Sequence, residues 1–135
     1  MTAAIRAILV FLSVSLTACC ALDPKIITQS RETARWFTPQ TQKPRGVVIV
    51  IHGLNQRPSS MDSLATYFAS EGFYVHRLTL PGHNEPTTET FDPVVWTEHV
   101  KKAYTDAHIR YPNLPTYVVG FSLGGALATK LADSA

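Results

Sequence analysis

Cysteine is scarce in this chain: only Cys19 and Cys20 occur, side by side. A disulfide framework needs separated, pairable cysteines, so none is available. Charge is also sparse, at 16% of residues with a net +2, and acids and bases are interspersed. Without a run of Lys and Arg there is no stripe for a nucleic-acid backbone. No metal-ligand spacing such as H-E-x-x-H occurs, and nothing in the sequence calls for a cofactor. Histidine is missing from one particular place. All five, His52, His76, His83, His99 and His108, precede Ser122, and only thirteen residues follow that serine.

What is present is an ordinary globular fraction of hydrophobic residues, 45%, which argues against disorder for the bulk of the chain. At 135 residues the chain is one domain or part of one. Three stretches divide it: 1–18, 19–45 and 46–135.

The first stretch reads as a leader. A region carrying one charge, Arg6, precedes an apolar run from Ala7 to Leu16. That run is long enough for a signal-peptide core and shorter than the roughly 20 residues that span a bilayer. It ends in Leu16-Thr17-Ala18-Cys19, which resembles the lipobox of bacterial lipoproteins. The resemblance implies lipidation of Cys19, a mature chain beginning there, and attachment to a membrane of the bacterial cell envelope on its periplasmic or extracellular face. Cys20 does not fit the pattern. Each buried CH₂ of an acyl chain contributes about 0.8 kcal/mol. An ordinary secretory signal with incidental cysteines is the alternative.

Residues 19–45, with Pro24, Pro39 and Pro44, read as a tether holding an early strand somewhere in 26–37. Gly46-Val-Val-Ile-Val-Ile51 is a β-branched run without polar alternation, the pattern of a strand covered on both faces. A helix from Ser59 or Ser60 to about Ser70 follows, with Leu64, Tyr67 and Phe68 at helical spacing and Gly72 as its stop. The next strand is read over Phe73–Leu80. Asp92-Pro93 pairs a capping side chain with proline at the first helical position. Val95, Val100, Ala103, Tyr104 and Ala107 supply the apolar face up to about Arg110. Thr116–Val119 is a third strand and Gly125–Ala132 a third helix. Strand and helix alternate three times, which predicts an α/β fold: a parallel sheet with helices on both faces.

Gly120-Phe-Ser122-Leu-Gly124 lies between the last strand and the last helix. The pattern Gly-x-Ser-x-Gly in that setting is a nucleophile elbow. A serine on so sharp a turn holds a strained backbone. Side chains two residues to either side would collide, hence the glycines Gly120 and Gly124. The helix that follows aims unpaired N–H groups at the point where negative charge develops. His52-Gly53-Leu54 ends the first clear strand. In parallel sheets the carboxyl ends of strands share one edge, so both loops open toward the same place.

With His52-Gly53-Leu54, Leu80-Pro-Gly-His83 and Gly120-Phe-Ser-Leu-Gly-Gly125 in hand, the stretch from about Gly46 to Ala132 resembles the α/β-hydrolase superfamily, nearest to monoacylglycerol-lipase-like and carboxylesterase-like members. The departure is Asn84, where relatives usually have glycine. The resemblance implies that Ser122 is a nucleophile attacking an ester or lipid carbonyl through an acyl-enzyme. It also implies that the backbone N–H groups of Leu54 and Leu123 form the oxyanion hole. His52, Gly53 and His83 would stand near the site, with His83 shaping its mouth. The family order is Ser, then Asp or Glu, then His. Asp133 follows too soon to be the acid, and no histidine follows at all. The reading is therefore an α/β-hydrolase fold truncated after the elbow and its helix, inactive as it stands. A membrane-anchored, non-catalytic acyl-binding module is a second reading. A serine peptidase or thioesterase of the same fold is a third. Tyr67, Phe73 and Trp96 are read as core packing before pocket lining, and His76, His99 and His108 as packing or surface residues.

Overall fold

The computed structural model describes residues 31–83 and 92–134. The leader, Cys19, Cys20 and Asn84 lie outside the described residues. Four strands form one sheet: β1 (Arg35–Phe37), β2 (Gly46–Ile51), β3 (Phe73–Arg77) and β4 (Thr116–Gly120), in the order β1-β3-β2-β4. The helices are α1 (Asp62–Ser70), α2 (Pro93–Arg110) and α3 (Leu123–Ala132). Among the described residues no helix is long and apolar enough to cross a membrane.

The reading of β2 as a strand covered twice holds, since all six of its residues are buried. Because side chains alternate across a strand, β2 feeds two cores. Val47, Ile49 and Ile51 meet Trp96, Val100, Ala103 and Ala107 of α2 and Leu127 and Leu131 of α3. Val48 and Val50 meet Ala65 and Ala69 of α1 on the opposite face, with Val75 of β3. Burying a Val, Leu or Ile side chain contributes roughly 1.5–3 kcal/mol, so the central strand anchors both layers. β2 pairs in parallel with β3 on one side and β4 on the other. Helices on opposite faces return the chain to strands on opposite sides of β2, the arrangement right-handed crossovers produce.

The sheet departs from purely parallel at β1, which runs antiparallel to β3. Trp36 sits opposite His76 and stacks on it at 4.3 Å. Part of the stretch read as tether is thus packed. Glu32 accepts hydrogen bonds from Ser59 N (3.0 Å) and Ser59 Oγ (2.7 Å). The expected helix start is also corrected. Pro58–Met61 is a turn of 3₁₀ helix and α1 begins at Asp62, so the cap position falls to Met61, which offers no capping side chain, while Ser59 is committed to Glu32. Asp92 does cap α2, accepting from Val94 N at 2.8 Å.

On α2 the buried face is Trp96, Thr97, Val100, Ala103 and Ala107, whereas Val95 is exposed. The helical phase selects Trp96 over its neighbour. Trp96 is core, as read, but Tyr67 is 57% exposed. Beyond Arg77 the third strand leaves the ladder, although Leu78 N still donates to Val50 O. Arg77 is fully buried and forms an ion pair with Asp62 at 2.7 Å. At the other side of the sheet β4 pairs with β2 alone among the described strands, and Tyr117 and Phe121 are about half exposed there.

Candidate functional site

Ser122 sits at φ 53°, ψ −114°, the only non-glycine residue with positive φ among the described residues. Such a conformation costs on the order of 1–3 kcal/mol and persists only where the surroundings impose it. They do so by contact. A Cβ on Gly120 would run into the carbonyl of Gly124 and the amide of Gly125. A Cβ on Gly124 would meet Ile51 C at 2.8 Å and His52 O at 2.9 Å, with Ile51 O nearer still. The first turn of α3 therefore lies directly on the end of β2, and only glycines let it. α3 starts at Leu123, two residues earlier than the sequence suggested in Gly125, so the serine stands at the helix N-cap.

The Ser122 side chain is exposed and caps nothing. Gly124 N, Gly125 N and Ala126 N turn back to Phe121 O and Ser122 O. The Leu123 N–H has no such acceptor among the described residues, as the first amide of a helix ordinarily lacks one.

The loop after β2 lies beside this turn. Ile51 and Gly120 are register partners, and Phe121 N donates to Ile51 O at 3.0 Å. A Cβ on Gly53 would stand 3.2 Å from the Phe121 ring. The loop turns tightly: Gly53 N donates to Gln56 Oε1 (3.1 Å) and Gln56 N to Gly53 O (3.2 Å). Leu54, at its tip, is 40% exposed.

His52 is fully buried. Leu80 N donates to its Nε2 at 3.1 Å, so Nε2 carries a lone pair. The proton is then on Nδ1, which donates to Gly53 O at 2.9 Å. This is a neutral imidazole with both nitrogens committed. Burial pushes its pKa below the usual value, against the opposing effect of the Gly53 carbonyl. His52 thus shapes the loop and has no lone pair to offer a serine.

His83 donates from Nε2 to Leu54 O at 2.7 Å, and its ring lies 4.6 Å from that of His52. It follows a turn in which Gly82 takes φ 86° and His83 N donates to Leu80 O. Trp96 Nε1 donates to Pro81 O at 3.0 Å, fastening that turn to α2.

The structure thus brings Ser122, Leu123, Gly120, Gly124, His52, Gly53, Leu54 and His83 to one edge of the sheet. It leaves the others elsewhere. Asp133 caps the far end of α3, about 15 Å along the helix at 1.5 Å per residue. His76 stacks on Trp36, and His99 and His108 lie on α2. Sequence reasoning missed Gln56, Leu80 and Trp96 as supports of the site. Trp96 carried a faint signal, a large aromatic one turn into the helix that follows the His83 loop. No side chain among the described residues hydrogen-bonds Ser122 Oγ, and no group of three or more His, Cys, Asp or Glu is gathered to hold a metal ion.

Comparison with known proteins agrees with this fold. Residues 42–135 match the family of serine aminopeptidases S33. Over 94 residues the chain is 31% identical to a monoacylglycerol lipase of Mycolicibacterium smegmatis, covering 67% of this chain and 33% of that protein. Among solved structures, one described under LipS and LipT, two metagenome-derived lipolytic enzymes, superposes with a TM-score of 0.66 at 28% identity, covering 76% of this chain and 40% of the other. A thermostable carboxyl esterase from Bacillus coagulans superposes with a TM-score of 0.61 at 24% identity, covering 73% and 34%. The chain spans about a third of the length of the lipase it matches. With a family match over most of its length, and the strand–turn–helix geometry around Ser122 in place, the chain belongs to the serine aminopeptidase S33 family of α/β-hydrolases.

Proposed function

We propose that this chain carries the nucleophile and oxyanion-binding half of a serine hydrolase acting on carboxylic esters. Ser122 Oγ attacks the ester carbonyl carbon, and the carbonyl oxygen becomes an oxyanion received by the N–H groups of Leu54 and Leu123. Collapse of that intermediate expels the alcohol and leaves an acyl-enzyme, which water hydrolyses to the acid. Each oxyanion donor contributes about 2.7–4 kcal/mol to the transition state. The observation that carries the reading is the backbone of Ser122, held at positive φ at a helix N-terminus beside the Leu54 loop.

The proton of Ser122 needs a base. His52 is committed on both nitrogens, and His83 is turned to the Leu54 carbonyl. We place the acid and the histidine in polypeptide beyond residue 135, in keeping with the share of the lipase that the chain spans. The 135-residue chain then turns over negligibly, since loss of the base from a serine hydrolase costs about 10⁶ in kcat. Lipidation at Cys19 would hold the protein on a membrane of the cell envelope, and Cys19→Ala should move it from the membrane to the soluble fraction.

The test is the nucleotide sequence after codon 135, followed by expression of the longer reading frame. A downstream Asp or Glu and His, with hydrolysis of a short p-nitrophenyl ester abolished by Ser122→Ala, is the expected result. Turnover retained in Ser122→Ala removes Ser122 from its role. Amide hydrolysis is a second reading, favoured by the aminopeptidase name of the matching family; amino-acid p-nitroanilides, assayed beside the ester, separate the two.

A further inference from the structure

The amide of Leu54 belongs to the Gly53–Leu54 peptide, and a trans peptide holds its C=O and N–H in opposite directions. Two donors grip the carbonyl of that unit: His52 Nδ1 at 2.9 Å and Gln56 N at 3.2 Å. The Leu54 N–H therefore points away from both. The next unit, Leu54–Asn55, is gripped by its own carbonyl, which accepts from His83 Nε2 at 2.7 Å. The two peptide planes meet at Leu54 Cα, so fixing both removes the freedom of the amide between them.

The two grips are linked. The imidazoles touch, with ring centroids 4.6 Å apart. Leu80 uses its N–H on His52 and its carbonyl on His83 N. Trp96, from α2, holds the turn by Pro81 O and lies 5.8 Å from the His83 ring. The turn 80–83 is thus a brace between α2 and the loop tip, with His83 as its contact point.

Resting on the reading of Leu54 as an oxyanion donor, we infer that His83 is a positioning residue of this site: by holding the Leu54 carbonyl it orients the Leu54 N–H, without touching substrate. The role requires a donor at the Nε2 position. Glutamine supplies one at similar reach, and alanine does not.

The experiment uses the full 135-residue chain, isotopically labelled, in detergent micelles. Imidazole ¹⁵N spectra at neutral pH should show His83 protonated on Nε2 and His52 bearing its lone pair there. His83→Ala should raise the exchange rate of the Gln56 amide, bonded across the loop, by about 5- to 10-fold. It should also lower the order parameter of the Leu54 N–H, while amides of β2 stay as they were. His83→Gln should restore both. An Nε2 without its proton in the wild type overturns the inference even if His83→Ala fails to fold. So do an unchanged loop in His83→Ala and an absence of rescue by glutamine. None of these readouts depends on Ser122, so a failed esterase reading and a failed brace are told apart. In the longer enzyme His83→Ala should lower kcat by about 10-fold or more with KM within about 2-fold; an unaltered kcat overturns the role.

Discussion

Alanine at Gly124 puts a methyl where α3 rests on the end of β2. Its Cβ would stand 2.8 Å from Ile51 C and 2.9 Å from His52 O, and nearer still to Ile51 O. All three are backbone atoms, so no side chain can swing aside. Carbon–carbon contacts settle at about 3.5–4.0 Å, and the first turn of α3 must therefore retreat by about 1 Å. That retreat draws Leu127 and Leu131 from the core they share with Ile49 and Val100. Overpacking of this kind costs about 1–3 kcal/mol, set against a gain of up to about 1 kcal/mol for replacing a helical glycine. The net expectation is a loss of about 1–2 kcal/mol, and with a urea dependence of about 1–3 kcal/mol/M the midpoint falls by about 1 M. Gly125→Ala is the milder comparison, because its Cβ would meet Gly120 O at 3.3 Å and Gly120 C at 3.9 Å. It should cost less than Gly124→Ala, because a helical gain of up to about 1 kcal/mol offsets a contact that asks Gly120 O to give by only a few tenths of an ångström. Equilibrium urea unfolding at pH 7 measures both. A Gly124→Ala midpoint at or above that of the wild type, or equal shifts for the two alanines, would refute the steric account of the turn.

Acid should weaken the fold through His76, whose pKa burial lowers from 6.5 to about 4, with the charge of His99 adding to the shift. A group neutral in the folded state and titrating lower than in the unfolded chain contributes fully above pH 6.5 and progressively less as pH falls toward 4. At 1.36 kcal/mol per pH unit, going to pH 5 removes about 2 kcal/mol. His52 and His99, lowered chiefly by burial, act in the same direction. Urea midpoints at pH 7 and 5 should differ accordingly, and less so in His76→Phe; an equal difference in that variant would clear His76. Asp62→Ala leaves the buried Arg77 guanidinium without its ion-pair partner, at a cost of about 2–4 kcal/mol, somewhat under the range for fully buried pairs because Asp62 is partly exposed; a loss under about 0.5 kcal/mol in the same assay would count against it.

Much of the fold was legible because it rests on short-range rules. An all-apolar β-branched run suits a strand covered on both faces, and β2 is one. Asp92-Pro93 is a helix start by the chemistry of two adjacent residues. The stretch Thr116–Gly125 announced a sharp strand-to-helix turn. What went astray was local too, but decided by partners far off in sequence. Ser59 bonds Glu32, 27 residues away, from within a 3₁₀ turn that moves the start of α1 on to Asp62. Val95 ceded the core to Trp96, whose indole found Pro81. The early strand expected in 26–37 is there as β1, but its antiparallel sense was not legible, since a three-residue strand owes its direction to the neighbour it pairs with.

For the site, the sequence by itself determined the elbow: glycines two residues either side of Ser122 answer to collisions within a single turn, and such collisions depend only on spacing along the chain. Only the tertiary structure decided what the histidines do. His52 meets Leu80 across 28 residues and His83 meets Leu54 across 29, contacts that exist because the sheet sets β2 between β3 and β4. A hydrogen-bond partner is selected by that arrangement in space, and an imidazole, able to donate and accept, takes whichever role the surrounding backbone leaves to it.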